Sequence, residues 1–118
     1  MGLRESTADD WARLAPDWPR PPHWIGLAAD DGAGFGGLYE AVDGRWWGIA
    51  RRAPGVRRAT TLMRAAREML TVAQAAGVPV HALADPDIDG ADRFLARLGF
   101  WRTSETIEQY EVWLWAPR

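Results

Sequence analysis

The chain has 118 residues, a length typical of one domain, and its 47 % hydrophobic and 25 % charged residues exclude wholesale disorder. It has no apolar run of the roughly 18 residues that cross a bilayer, no apolar leader after its first residues, and no cysteine for disulfides or thiolate metal sites. With a net charge of −2, it is expected to be a cytoplasmic single domain, residues 1–118, that contacts no membrane and presents no generally basic surface to nucleic acid.

The first half of the chain predicts one helix followed by three strands. Thr7 and Asp10 have the spacing of a capping box, which favours a helix ending at about Ala15. Four prolines between residues 16 and 22 predict a stiff extended loop. Three apolar stretches then predict strands at Trp24–Ala29, Phe35–Val42 and Arg45–Arg52. Between the last two lies Asp43-Gly44, a typical hairpin turn in which both residues would adopt positive φ.

The second half predicts two helices and three strands. Apolar residues recur at helical spacing over Arg57–Ala76, and Gly77 follows as a C-terminal cap. An apolar strand, a short helix capped by Asp89 and ended by Gly99, and two closing strands are predicted next; the strands are Val78–Ala84, Phe100–Ile107 and Gln109–Ala116. The strand–helix–strand unit requires a parallel pair with a right-handed crossover, so the fold class is a mixed α/β sheet.

The positive charge is concentrated around the turn that enters the long helix. Residues 45–67 contain seven arginines and no acid, whereas the other seven arginines stand against all sixteen acids, which leaves −9 on the rest of the chain. The strand turns at Pro54-Gly55, and the backbone N–H groups at a helix start attract phosphate. The pattern favours a focused anion site over a nucleic-acid surface, with an exposed turn of solvated arginines as the alternative.

Three stretches of the chain resemble the GCN5-related N-acetyltransferases (GNAT). They are Leu3–Asp10, the hairpin with its arginine turn and long helix, and Gly90–Phe100, which is similar to the family's helix ending in Gly-Phe. The resemblance covers most of the chain and implies antiparallel hairpin strands, a β-α-β crossover and a C-terminal hairpin. It also implies acetyl-CoA as co-substrate. Small chains of this kind also occur in phage and prophage gene sets.

The resemblance implies where the co-substrate binds. The backbone of residues 49–51 would line the pantetheine arm, and the turn with the helix start would hold the phosphates. The residues concerned are Ile49, Ala50, Arg51, Arg52, Gly55, Val56, Arg57, Arg58 and Ala59. Arg57 stands where the family has a small residue, so its side chain would have to contact phosphate itself.

The catalytic residues depart from the family pattern. The tyrosine that serves many members as general acid falls at Leu95, which has no proton to donate. Tyr110 is the candidate acid in its place, with Tyr39 as the other tyrosine. Glu40, in the strand on the Leu38 face, is the candidate base for the incoming amine. The alternatives are a packed tyrosine and a solvent-facing glutamate.

No metal site is expected. Residues 85–90 match the start of a calcium loop, but Ala96 stands where a bidentate glutamate is needed. His23 and His81 are too few for zinc without cysteines.

Tryptophan is abundant, with eight residues in the chain. Most are expected in the core, and some of a smaller set are expected at the surface as a homodimer or protein-partner contact: Trp18, Trp24, Trp113 and Trp115.

The sequence therefore predicts an acetyl-CoA-dependent N-acyltransferase that transfers acetyl directly to the primary amine of a small molecule or peptide. The alternative is a catalytically inactive GNAT-like protein with a structural or interaction role, as in a phage or prophage particle. The third hypothesis is a nucleic-acid-binding module, which the negative charge on the rest of the chain disfavours.

Overall fold

The computed structural model describes residues 2–56 and 60–118, in which three helices pack on the two faces of one seven-stranded mixed sheet. In chain order the elements are β1 (Leu3–Glu5), α1 (Ala8–Leu14), β2 (Ile25–Ala29), β3 (Gly34–Glu40), β4 (Trp46–Arg52), α2 (Thr60–Ala76), β5 (Val80–Ala84), α3 (Ala91–Leu98), β6 (Trp101–Ile107) and β7 (Tyr110–Trp115). The strands lie in the order β1-β2-β3-β4-β5-β7-β6, so the predicted mixed α/β class is confirmed. The predicted site residues Arg57, Arg58 and Ala59 lie outside the described residues.

The two faces of the sheet carry two cores. On one face, hereafter the α1 face, Trp11 and Leu14 of α1 pack against Ala28 and Phe35. Register and alternation place five further side chains on this face: Tyr39, Trp47, Ile49, His81 and Leu83. On the opposite face, α2 and α3 bury a larger cluster with β3, β5 and β7, which includes Leu38, Met69, Val80, Leu95 and Trp113.

The predicted capping box of α1 is confirmed. The N–H of Asp10 donates to Thr7 Oγ1 at 3.4 Å, and the N–H of Thr7 donates to Asp10 Oδ2 at 2.7 Å. The helix ends at Leu14, with Ala15 as its C-cap.

The β3–β4 hairpin is present, but its turn differs from the one predicted. The last strand pair is Glu40 with Trp46, so β3 ends two residues before the predicted Val42. The N–H of Gly44 donates to Ala41 O at 2.9 Å, and Gly44 alone of the Asp-Gly pair has positive φ (84°). The turn is therefore a three-residue loop rather than a two-residue one. Asp43 instead uses its carboxylate to accept the N–H of Arg45 at 3.0 Å.

The crossover from β4 through α2 to β5 gives the predicted parallel pair. Only two residue pairs join these strands in the described chain, Trp46 with Val80 and Trp47 with His81. From there β4 and β5 run apart.

The C-terminal hairpin is also present, with β6 at the edge of the sheet. Between Arg102 and Thr106, β6 has two more residues than the facing stretch of β7, which makes a bulge. Glu105 lies in this bulge and contacts Arg45, the residue that precedes β4. Arg45 Nη1 lies 2.9 and 3.1 Å from the two carboxylate oxygens of Glu105. A partly exposed ion pair thus links the residue before β4 to the edge strand β6.

Two further expectations are corrected. Asp89 does not cap α3: the N-cap is Gly90, which makes no side-chain capping bond. Among the tryptophans, Trp113 is buried and Trp101 on the edge strand is the exposed one, at 48 %. Trp18, Trp24 and Trp115 are half-buried, since each has part of its ring against a core cluster.

Within the described ranges, no helix combines the length and the apolar character that crossing a membrane requires.

Candidate functional site

A cleft opens where β4 and β5 run apart. Its volume is about 830 Å³, within the range of roughly 300–1,000 Å³ common for small-ligand sites. One wall is formed by residues 48–52 of β4 and the turn after it, and the other by β5 and α3. Further lining residues come from α1, α2 and the loop after α1: Leu14, Trp18, Leu62 and Met63.

The backbone of β4 is the polar element of this cleft. No ladder pair joins residues 48–52 to β5 in the part of the chain that the structure describes. Alternate N–H and C=O groups of a strand point to each side. This stretch of β4 therefore presents unpaired backbone donors and acceptors to a ligand in the cleft, as the resemblance implies for Ile49, Ala50 and Arg51.

The turn after β4 closes one end of the cleft. Gly55 has positive φ (83°), and the N–H of Val56 donates to Ala53 O at 3.2 Å, which confirms the predicted Pro-Gly turn. Gly55, Val56 and the exposed Arg52 line the cleft. The structure thus brings together all the predicted co-substrate residues that it describes, from Ile49 to Val56.

The arginine segment is less strongly positive in the fold than in the sequence. Arg51 Nη1 and Nη2 lie 2.9 and 3.3 Å from the two Asp17 carboxylate oxygens. Arg45 is paired with both Asp43 and Glu105. Asp17 and Glu105, which lie far away in the sequence, therefore compensate the charges of Arg51 and Arg45. Hydrogen bonding from the Arg51 guanidinium lowers the pKa of the Asp17 carboxyl below its ordinary value.

The two candidate catalytic residues lie apart. Tyr110, the first residue of β7, is half-buried and lines the cleft. Leu95, where the resemblance would place a tyrosine, is buried in the α3 wall of the same cleft. Glu40 is exposed at the end of β3, on the face opposite the α1 face, and is not among the residues lining the cleft. Its role as a base remains a prediction.

Trp18 is a cleft residue that the sequence analysis did not assign to the site. Its Nε1 donates to the hydroxyl of Tyr39 at 3.0 Å. Tyr39 packs edge-on against Trp11, with 6.2 Å between ring centroids. Burial raises the pKa of the Tyr39 phenol, which stays neutral. A proline-rich loop carries Trp18 over β4, and the sequence offers no local signal for the position of that loop.

The acidic loop before α3 makes a turn. Asp85 Oδ1 accepts the N–H of Asp87 at 2.9 Å, and Asp89 is exposed. Among residues 2–56 and 60–118, no cluster of three or more His, Asp or Glu side chains is arranged to hold a metal ion.

The chain matches no protein-family model, and no curated protein is similar to it in sequence. Its fold is similar to the structure of a protein from Acinetobacter baylyi ADP1 described as a "putative acetyltransferase". The TM-score is 0.70 with 11 % sequence identity, and the match covers 98 % of this chain and 92 % of the other. At that identity the likeness concerns the fold alone, and it lends no support to the expected phage or prophage origin. The chain therefore has a mixed-sheet fold of the kind seen in that protein, with a cleft between β4 and β5.

Proposed function

We propose that the protein is an acetyl-CoA-dependent N-acyltransferase that uses the cleft between β4 and β5. The observation that carries this proposal is the divergence of the two strands after only two residue pairs. The divergence frees a stretch of strand backbone beside a cleft large enough for an extended ligand. The similar fold of the Acinetobacter protein supports the same conclusion.

Acetyl-CoA fits the described lining. Its thioester and pantetheine arm would hydrogen-bond the backbone of residues 49–51, with apolar contact from Leu62, Met63 and Phe94. Its phosphates would lie at the turn, near Arg52 and Gly55. The turn suits an anion because backbone at positive φ and a guanidinium both present donors there.

The reaction would be direct transfer. The lone pair of the amine nitrogen attacks the thioester carbonyl carbon, and the carbon–sulfur bond breaks. The products are an N-acetyl amine and CoA, with one proton lost by nitrogen and one gained by sulfur. Tyr110 is the proposed donor of the sulfur proton, since it is the phenol among the described residues that line the cleft.

The first test is thermal unfolding with and without acetyl-CoA. A ligand at about 100 times its Kd stabilises the folded state by about 2.7 kcal/mol, which is a shift of roughly 8 °C for a domain of this size. Ala91→Trp should abolish the shift, because Ala91 lines the cleft at the start of α3. Ala96→Trp on the exposed face of the same helix is the matched control and should keep it.

The outcomes separate the candidate functions. A shift with acetyl-CoA that inorganic phosphate does not reproduce, lost in Ala91→Trp alone, supports the proposal. Absence of a shift at millimolar acetyl-CoA contradicts it. Binding of acetyl-CoA without acetylation of any amine would favour the inactive alternative, in which Leu95 reflects a lost activity.

A further inference from the structure

The mouth of the cleft on the α1 face is lined by apolar and aromatic side chains. Leu14 and Trp18 form one side, and Leu83 and Tyr110 the other. Leu83 lies on the α1 face and pairs with Val112, which is two residues after Tyr110 in β7. Since side chains alternate along a strand, Tyr110 projects to the same face as Leu83. Two aromatic rings therefore lie at this mouth.

Contacts within the protein hold the Trp18 side chain in place without a ligand. Its indole N–H is already engaged with the Tyr39 hydroxyl, and Tyr39 is itself packed against buried Trp11. The polar atom of Trp18 is therefore used within the protein, and the ring offers its face and apolar edges. An aromatic wall fixed in this way costs little conformational entropy when a ligand binds.

Arg51 and Asp85 are charged side chains at this mouth. Arg51, on the α1 face of β4, is paired through two contacts with Asp17. Asp85, which also lines the cleft, accepts a backbone N–H through Oδ1. The Arg51 charge, matched by Asp17, contributes little further attraction to an ionic ligand, whereas the Asp85 carboxylate keeps its charge and can attract the amino group of any acceptor. Discrimination among amines at this mouth therefore depends on apolar and aromatic contact.

On the basis of the acetyltransferase function proposed above, we infer that the acceptor is a primary amine carried on an aromatic or bulky apolar body. That body lies between Trp18 and Tyr110 on the α1 face, and its amino nitrogen is directed into the cleft. Nitrogen attacks the acetyl carbonyl carbon, the carbon–sulfur bond of acetyl-CoA breaks, and the proton released by nitrogen balances the one taken up by sulfur. Small hydrophilic amines and polyamines lack the group that this mouth recognises.

The test compares acceptors by release of the CoA thiol. Tryptamine and phenethylamine are the aromatic probes, and ethanolamine and spermidine are the hydrophilic ones. We expect kcat/KM to be about 10- to 100-fold higher for the aromatic probes, as one buried ring gives discrimination of this order. Similar or higher values for ethanolamine or spermidine would overturn the inference.

Trp18→Ala provides the matched variant. It should lower kcat/KM for tryptamine by about 10-fold or more and change the value for ethanolamine by less than about threefold. Trp18→Phe, which keeps a ring, should recover part of the loss. Trp101→Ala removes an exposed tryptophan on the edge strand, away from the cleft, and should leave both values within about twofold of the wild type.

Failure of this inference is distinct from failure of the proposed function. If acetyl-CoA gives no thermal shift, the proposed function fails. If acetyl-CoA binds and the protein prefers hydrophilic amines, the acceptor inference alone is overturned. If acetyl-CoA binds and none of the four probes is acetylated, the acceptor inference is overturned and the inactive alternative to the proposed function is favoured. An equal loss for tryptamine and ethanolamine in Trp18→Ala would show that Trp18 is structural, and would overturn the inference too.

Discussion

Asp10 is the charged residue most completely enclosed in the described chain, at 2 % exposure. Its two carboxylate oxygens accept Arg4 Nη1 and Nη2 at 2.8 and 2.9 Å, and Oδ2 also accepts the N–H of Thr7. Hydrogen bonding from Arg4 is the main cause that lowers the pKa of this carboxyl from 3.8 to about 2. One carboxylate thus ties β1 to the start of α1.

Asp10→Asn is expected to lower the free energy of unfolding at neutral pH by about 2 kcal/mol, since each pKa unit corresponds to about 1.4 kcal/mol. The folded-state pKa is lowered, so this stabilisation is complete above pH 4 and is lost as the pH falls from about 4 to about 2. Thermal unfolding at several pH values should show a gap of roughly 8 °C that closes in acid. Asp9→Asn, an exposed neighbour, is the control; a gap that persists at pH 2 would contradict the assignment.

Tyr110→Phe tests the proposed acid. Loss of a general acid lowers rates by about 100-fold or more, so kcat should fall by that order while the Kd of acetyl-CoA stays unchanged. Unchanged kcat would remove Tyr110 from the mechanism.

Glu40→Gln tests the predicted base, which lies at the end of β3 and is not among the residues lining the cleft. A clear fall in kcat at neutral pH would support the base, and an unchanged kcat would contradict it.

Helix α1 shows that local signals in the sequence predict an element well. Its capping box depends on residues three apart, and the structure confirms it together with the buried Trp11 and Leu14. The long helix, the parallel crossover and the closing hairpin follow in the same way from periodicity and turn residues. Each of these features is decided by side chains close together in the chain.

Two predictions failed at short range, the turn at Asp43-Gly44 and the cap of α3, but other missed features depend on residues far apart in the chain. Arg45 and Glu105 are 60 positions apart, and Glu105 lies in the bulge of β6. No local sequence pattern predicts that bulge. Likewise, Arg51 and Asp17 are 34 positions apart. The positive charge of residues 45–67 is therefore lower in the fold than the sequence alone indicates. The position of Trp18 over the cleft has the same origin, since its contact with Tyr39 spans 21 positions.

At the scale of the whole molecule, the sheet consists of two parts with a narrow junction. Strands β1 to β4 form an antiparallel part, and β5, β7 and β6 form another. Within the described residues two β4–β5 residue pairs join the parts, and α2 and α3 pack across the same face. A ligand in the cleft would contact both parts at once. It should therefore restrain the backbone on both sides of the cleft more than it restrains the outer strands.

This restraint can be measured by amide hydrogen exchange with and without acetyl-CoA. Exchange should slow by about 10-fold or more in residues 48–52 of β4 and 82–84 of β5, because ligand contacts close local openings of the backbone. The outer strands β1 and β2 provide the internal control, and their exchange should change little. Inorganic phosphate is the matched ligand control, since it can occupy only an anion site.

Protection confined to residues 53–56 would indicate that the turn binds phosphate while the thioester arm stays outside the cleft. That result would contradict the use of the diverging strands for catalysis. Protection of both strands by acetyl-CoA alone would instead place the acyl group where β4 and β5 separate, beside the aromatic mouth on the α1 face.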